Sequence, residues 1–132
     1  MALSRSELRK KCMIILYQID IYNQQKTPYE IDEVIKENVE IVPEFVKDII
    51  YGVTTHQQEL DALANQYVKD WTVDRLDKTG AAILRMALFE IKYTDTPPIV
   101  VINEAIELAK KYSDDSVRKI INATLDKIIR SN

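Results

Sequence analysis

Residues 81–91 constrain the fold more than any other stretch of the chain. They read Ala81-Ala82-Ile83-Leu84-Arg85-Met86-Ala87-Leu88-Phe89-Glu90-Ile91, with nine apolar side chains in eleven and no Gly or Pro. Most are strong helix formers. At 3.6 residues per turn the apolar side chains cover nearly the whole circumference, and such a helix must be enclosed by protein or lipid. Eleven residues broken by Arg85 and Glu90 fall short of the twenty or so that span a bilayer. The stretch is therefore expected at the centre of a helical core, with the other helices packed around it and no membrane contact.

The rest of the chain supplies those helices. Leu8, Cys12, Ile15, Leu16, Ile19 and Tyr22 recur in steps of three and four, the mark of one buried stripe. Ser4 or Ser6 can cap this first helix, and Arg5, Arg9 and Lys10 are expected off its stripe, in solvent. Thr27-Pro28-Tyr29-Glu30 reads as a capping box with Pro at the first helical position. The helix it opens would bury Ile31, Val34, Ile35 and Val39. Pro43 opens a long helix reaching about residue 68, with a bend expected near Gly52–Thr55 and Gly52 permitting close helix approach. Trp71 precedes a short turn of helix at 72–76, and Asp77 can cap the central helix. Pro97 and Pro98 end that helix, since tandem prolines cannot continue it. Ile102, Ala105, Ile106, Ala109 and Tyr112 form the next stripe. Ser113 to Ser116 make a turn and cap before the last one, Val117, Ile120, Ile121, Thr124, Leu125 and Ile128. The expected architecture is all-α, a single domain over 1–132 with about six or seven helices. Two Gly, four Pro, 46% hydrophobic and 30% charged residues agree with a folded helical chain and exclude disorder.

Charge is unevenly distributed. Arg5, Arg9, Lys10 and Lys11 against Glu7 alone give residues 1–11 a net +3, so a chain of net charge −3 carries −6 on the remainder. Cations at a helix N-terminus oppose the macrodipole, so stability does not ask for them there. A basic arm on an acidic body invites a polyanion to one end. The opening residues are not expected to act as a signal peptide. A lone cysteine excludes an internal disulfide framework and suits a reducing, cytoplasmic setting.

Catalytic and metal chemistry finds no support. His56 is the only histidine, without a ligand set at metal spacing, and no phosphate loop, dinucleotide fingerprint or nucleophile elbow occurs. Neither a cofactor nor an enzymatic activity is expected. Cys12 falls on the apolar stripe, as a small core residue would. Arg85 and Glu90 are five apart and point in different directions, so each is expected to meet a partner elsewhere. The tyrosines fall mostly on or near buried stripes, and none is assigned to base stacking.

Several motifs resemble the NusB family. They are Arg5-x-x-x-Arg9 with Leu16-Tyr17-Gln18-Ile19-Asp20, Trp71 to Leu76 with Ala82 to Ile91, Ile102 to Lys110 after Pro97, and Asn122-Ala123-Thr124-Leu125-Asp126-Lys127. The resemblance implies a helical bundle acting as a bacterial transcription antitermination factor. It would bind the single-stranded boxA segment of nascent ribosomal RNA transcripts together with NusE, a small-subunit ribosomal protein, and join RNA polymerase with NusA and NusG. The family's arginine-rich start maps to Arg5 and Arg9, with Ser6 and Glu7 as departures and Lys10 and Lys11 partly restoring charge. Its second RNA-facing region maps to Asp115, Ser116 and Lys119. Gly80-Ala81 replaces residues that are charged in many relatives, so only the start of the central helix is left as a contact surface, without its charge. NusB-like domains also occur as RNA-binding appendages of RNA methyltransferases, and a protein-binding helical adaptor is a third reading. Met13 and Ile21, off the first stripe, leave room for a homodimer.

Overall fold

The computed structural model describes residues 2–68 and 72–131. Six α-helices account for most of them: α1 (Arg5–Gln25), α2 (Ile31–Asn38), α3 (Glu44–Tyr67), α4 (Lys78–Tyr93), α5 (Pro98–Tyr112) and α6 (Asp115–Arg130). A 3₁₀ turn at Val73–Arg75 leads into α4. Trp71 lies outside the described residues.

The central helix is as buried as its composition requires. Every residue from Gly80 to Glu90 is buried, and α1, α3, α5 and α6 all pack against α4. Arg85 and Glu90 do not pair with each other. Arg85 donates to both carboxylate oxygens of Asp61 on α3, at 2.8 and 2.9 Å. Glu90 accepts two hydrogen bonds from Arg9 on α1, at 2.9 and 2.7 Å. Each buried charge thus has a bidentate partner on a neighbouring helix, the geometry that makes burial tolerable.

Glycine sets the approach of α3 to α4. A Cβ on Gly52 would lie 2.1 Å from the Phe89 ring, so only hydrogen leaves room for it. α3 runs unbroken from Glu44 to Tyr67, with no break at Gly52–Thr55.

Local signals at the helix ends fare unevenly. Ser4 and Glu7 form a reciprocal capping box on α1, with Glu7 N–H donating to Ser4 Oγ and Ser4 N–H to Glu7 Oε1, both at 3.1 Å. Those bonds hold the Glu7 carboxyl below its usual range. The capping box expected at Thr27 does not form. Lys26 takes a left-handed conformation (φ 57°) at the end of α1, and Thr27 N–H closes onto the Tyr22 carbonyl. The following residues are not helical, with Tyr29 stacked on Tyr22 at 5.6 Å and Glu30 extended, and α2 starts only at Ile31.

Two further expectations change. Met13 is buried and Ile21 half-buried, so α1 offers less apolar surface to a second copy than its sequence implied. On α5 the buried side chains are Val101, Ala105, Leu108 and Ala109, which rotates the expected stripe and turns Tyr112 outward, 40% exposed. The apolar run at 98–102 surrounds the first turns of α5, so periodicity alone could not orient it. Among the described residues no helix is long and apolar enough to cross a membrane.

Candidate nucleic-acid interface

The four basic residues of the N-terminal arm have different surroundings. Arg5 is exposed, its guanidinium stacked 4.2 Å above the Phe45 ring at the start of α3. Arg9 is only 4% exposed. It faces inward, bound to Glu90, with Glu104 of α5 at 3.6 Å and the Phe45 ring at 5.2 Å. The Glu90 carboxylate holds Arg9 above its ordinary pKa, so the ion pair is firm. The expectation that Arg9 projects into solvent is therefore corrected. The residue directly follows Leu8, lies one turn before Cys12 and reaches a carboxylate 81 positions away, which helical periodicity cannot reveal.

Lys10 and Lys11 diverge. Lys10 is exposed, with its ammonium 5.4 Å from the centre of the Tyr112 ring at the last turn of α5. Lys11 is half-buried and borders a cleft of about 840 Å³ on the opposite side, beside Leu8, Val39 and Ile41. Cys12, the next residue, is fully buried, and its thiol is pushed up to about 12 by burial and the Glu90 carboxylate. A thiol so rarely ionised is no nucleophile.

The start of α6 is built from its own side chains. Asp114 caps the helix, accepting from Val117 N–H and Ser116 Oγ, both at 2.8 Å, and these bonds hold its carboxyl below the usual range. Asp115 accepts from Arg118 at 3.0 and 2.6 Å and faces Lys119 at 3.4 Å, so its carboxyl is lowered too. Asp115, Ser116 and Lys119 are all exposed, as expected of contact residues. Arg118, half-buried beside them, carries no helical pattern that singles it out.

A second joint fixes this turn to the core. Asp77 accepts from Gly80 N–H at 2.8 Å and from Ser113 Oγ at 3.1 Å, tying the cap of α4 to the α5–α6 turn. A Cβ on Gly80 would lie 2.6 Å from Val117. Gly80 and Ala81 are buried, so these two positions, already without the charge that many relatives carry there, pack into the core. Tyr112 precedes Asp115 by three residues, a span of roughly 10 Å at most. Lys10 on Tyr112 therefore brings the outer face of α1 beside the start of α6. Two regions more than one hundred residues apart in the chain thus border one surface.

This arrangement has relatives. The NusB family pattern matches residues 6–130. The chain belongs to the NusB family. Transcription antitermination protein NusB of Staphylococcus haemolyticus is 41% identical over 127 residues, covering 96% of this chain and 99% of the relative. The protein of the same name from Staphylococcus aureus is 42% identical, covering 96% and 98%. Among solved structures, T. maritima NusB superposes with a TM-score of 0.87 at 26% identity, covering 100% of this chain and 94% of that one. A complex of antitermination factors NusB and NusE with double-stranded RNA contains a chain of the same fold, at a TM-score of 0.82, 24% identity and 97% coverage of each. Membership places the chain among transcription antitermination factors, which act by binding and not by catalysis.

Proposed function

We propose that the chain binds the boxA segment of nascent ribosomal RNA transcripts as a single-stranded site, in partnership with the ribosomal protein NusE. The pair then joins RNA polymerase with NusA and NusG, and residues 1–132 act as one RNA-binding unit. The observation that carries this reading is the approach of Lys10 to Tyr112, which gives the basic arm and the α6 start a common face. The solved assembly of NusB-fold chains with NusE and RNA supports the choice of partners.

In this reading Arg5 and Lys10 neutralise phosphates on the outer face of α1, and Lys11 does so from the side that borders the cleft beside Val39 and Ile41. Ser116 and Lys119 contact the backbone near the α6 start, and Asp115 orients Lys119 through their ion pair. Arg9 holds α1 in place through Glu90 and touches no RNA. Phosphate neutralisation by three or four cations gives a slope of log K against log salt of roughly −2 to −3. So shallow a slope on an acidic protein means modest affinity alone, and NusE raises it by adding surface. A gel shift of labelled boxA and scrambled RNA, with and without NusE, tests the reading. Preferential binding of boxA that strengthens with NusE is expected, while equal binding of both RNAs contradicts it.

A further inference from the structure

Phosphate contacts do not account for the groove between α1 and α5. It encloses about 490 Å³, within the size range of ligand pockets. Its lining holds Lys10 and Lys111 but also Glu7, Glu104 and Glu107, a balance of −1 that repels a phosphate placed at its centre. Two of these acids are occupied: Glu7 caps α1, and Glu104 accepts from Ser6 Oγ at 2.6 Å and lies 3.6 Å from Arg9. The side chains of Glu107, Asn103 and Lys111 make no hydrogen bond or ion pair among the described residues. At one end stands Tyr112, 40% exposed, with Lys10 against its ring.

An aromatic face, an unengaged carboxylate, a primary amide and two flanking ammonium groups match the parts of a nucleotide taken base first. Single-stranded RNA leaves the Watson–Crick edge of each base free to be read. Guanine presents two parallel donors on that edge, N1–H and the 2-amino group, which a carboxylate accepts as a pair. Uracil presents one donor between two carbonyl oxygens, and both oxygens repel a carboxylate. We propose that this groove is a nucleobase pocket selective for guanine in single-stranded RNA. Lys10 swings off the Tyr112 ring onto a flanking phosphate and frees the ring to stack on the base, Glu107 accepts from the base's Watson–Crick edge, and Lys111 holds the other phosphate. The acidic lining that weakens a simple phosphate site becomes the source of selectivity.

The inference rests on the RNA-binding reading, and one experiment separates the two. Fluorescence anisotropy at low salt compares an eight-nucleotide oligouridylate with the same oligonucleotide carrying one central guanosine. The unaltered protein is expected to prefer the guanosine probe about tenfold, as one good bidentate base contact supplies. Glu107→Gln abolishes that preference and binds oligouridylate slightly more tightly, because a charge that repels phosphate has gone. Tyr112→Leu, with its fold checked by thermal melting, weakens both probes at least about fivefold through lost stacking. Equal binding of the two probes, or a guanosine preference that survives Glu107→Gln, overturns the pocket and leaves RNA binding standing. Failure of the unaltered protein to bind either probe overturns the pocket, and the boxA gel shift with NusE then decides the RNA-binding reading separately.

Discussion

Arg5 and Arg9 lie one helical turn apart on α1 and belong to different parts of the protein. Arg5 stands in solvent, stacked on the edge of the bundle at Phe45. Arg9 passes the same ring and ends in a buried bidentate ion pair with Glu90. The same chemical group therefore serves two ends. Outward, it offers an unsatisfied charge to a polyanion; inward, it ties α1 to the central helix. The contrast extends over the molecule, since Arg85 with Asp61 repeats the inward type and Lys119 with Asp115 the outward one. Burial decides the energetics, because a charge away from water must keep its partner whereas an exposed pair is worth little.

The sharpest way to break the inward half is to strand a charge. Glu90→Ala leaves Arg9 buried beside a void, and a loss of about 3–5 kcal/mol is expected in urea unfolding. The paired substitution Arg9→Met with Glu90→Leu removes both charges and should restore most of that stability. A small loss for Glu90→Ala, within the range of surface substitutions, contradicts the ion pair.

Gly52→Ala probes the same buried side without charge. The new methyl meets the Phe89 ring, and overpacking of this kind costs about 1–3 kcal/mol. Adding Phe89→Leu should recover part of the loss, and additive losses in the double variant argue that the two residues do not touch.

At the outer end, Asp114→Ala removes the α6 cap and should lower the unfolding midpoint slightly at pH 7. The Asp114 carboxyl is depressed in the folded state relative to its usual 3.8, so its contribution is complete above about pH 4. It fades as the pH falls through the lower folded value. The difference between variant and parent should shrink accordingly on acidification, and a difference that grows there contradicts the cap.

Much of this division was readable in the sequence, and the limits of that reading are physical. Leu8, Cys12, Ile15, Leu16 and Ile19 form a stripe because every third or fourth residue is apolar, and all five are buried. The caps are local chemistry: Asp77 stands where the sequence puts it, Ser4 is one of the two serines offered for α1, and Asp114 falls within the 113–116 cluster before α6. Arg9 escaped because the feature that buries it is Glu90, a residue of another helix that local patterning cannot supply. The expectation that Arg85 and Glu90 each need an outside partner was sound, yet it could not name Asp61 or Arg9. Tyr112 escaped for a related reason: α5 is apolar on all sides near its start, so its orientation is set by packing. The joining of the basic arm to the α6 start depends on that orientation, and the surface they share became visible only in three dimensions.

The salt dependence of boxA RNA binding tests the central claim most directly. Arg5→Ala should reduce the magnitude of the slope of log K against log salt by about one. The paired Arg9→Met, Glu90→Leu variant should leave the slope as it is in the parent, since the charge it removes never faces the RNA. An equal reduction in both variants would contradict the division of α1 into a binding face and an anchoring face.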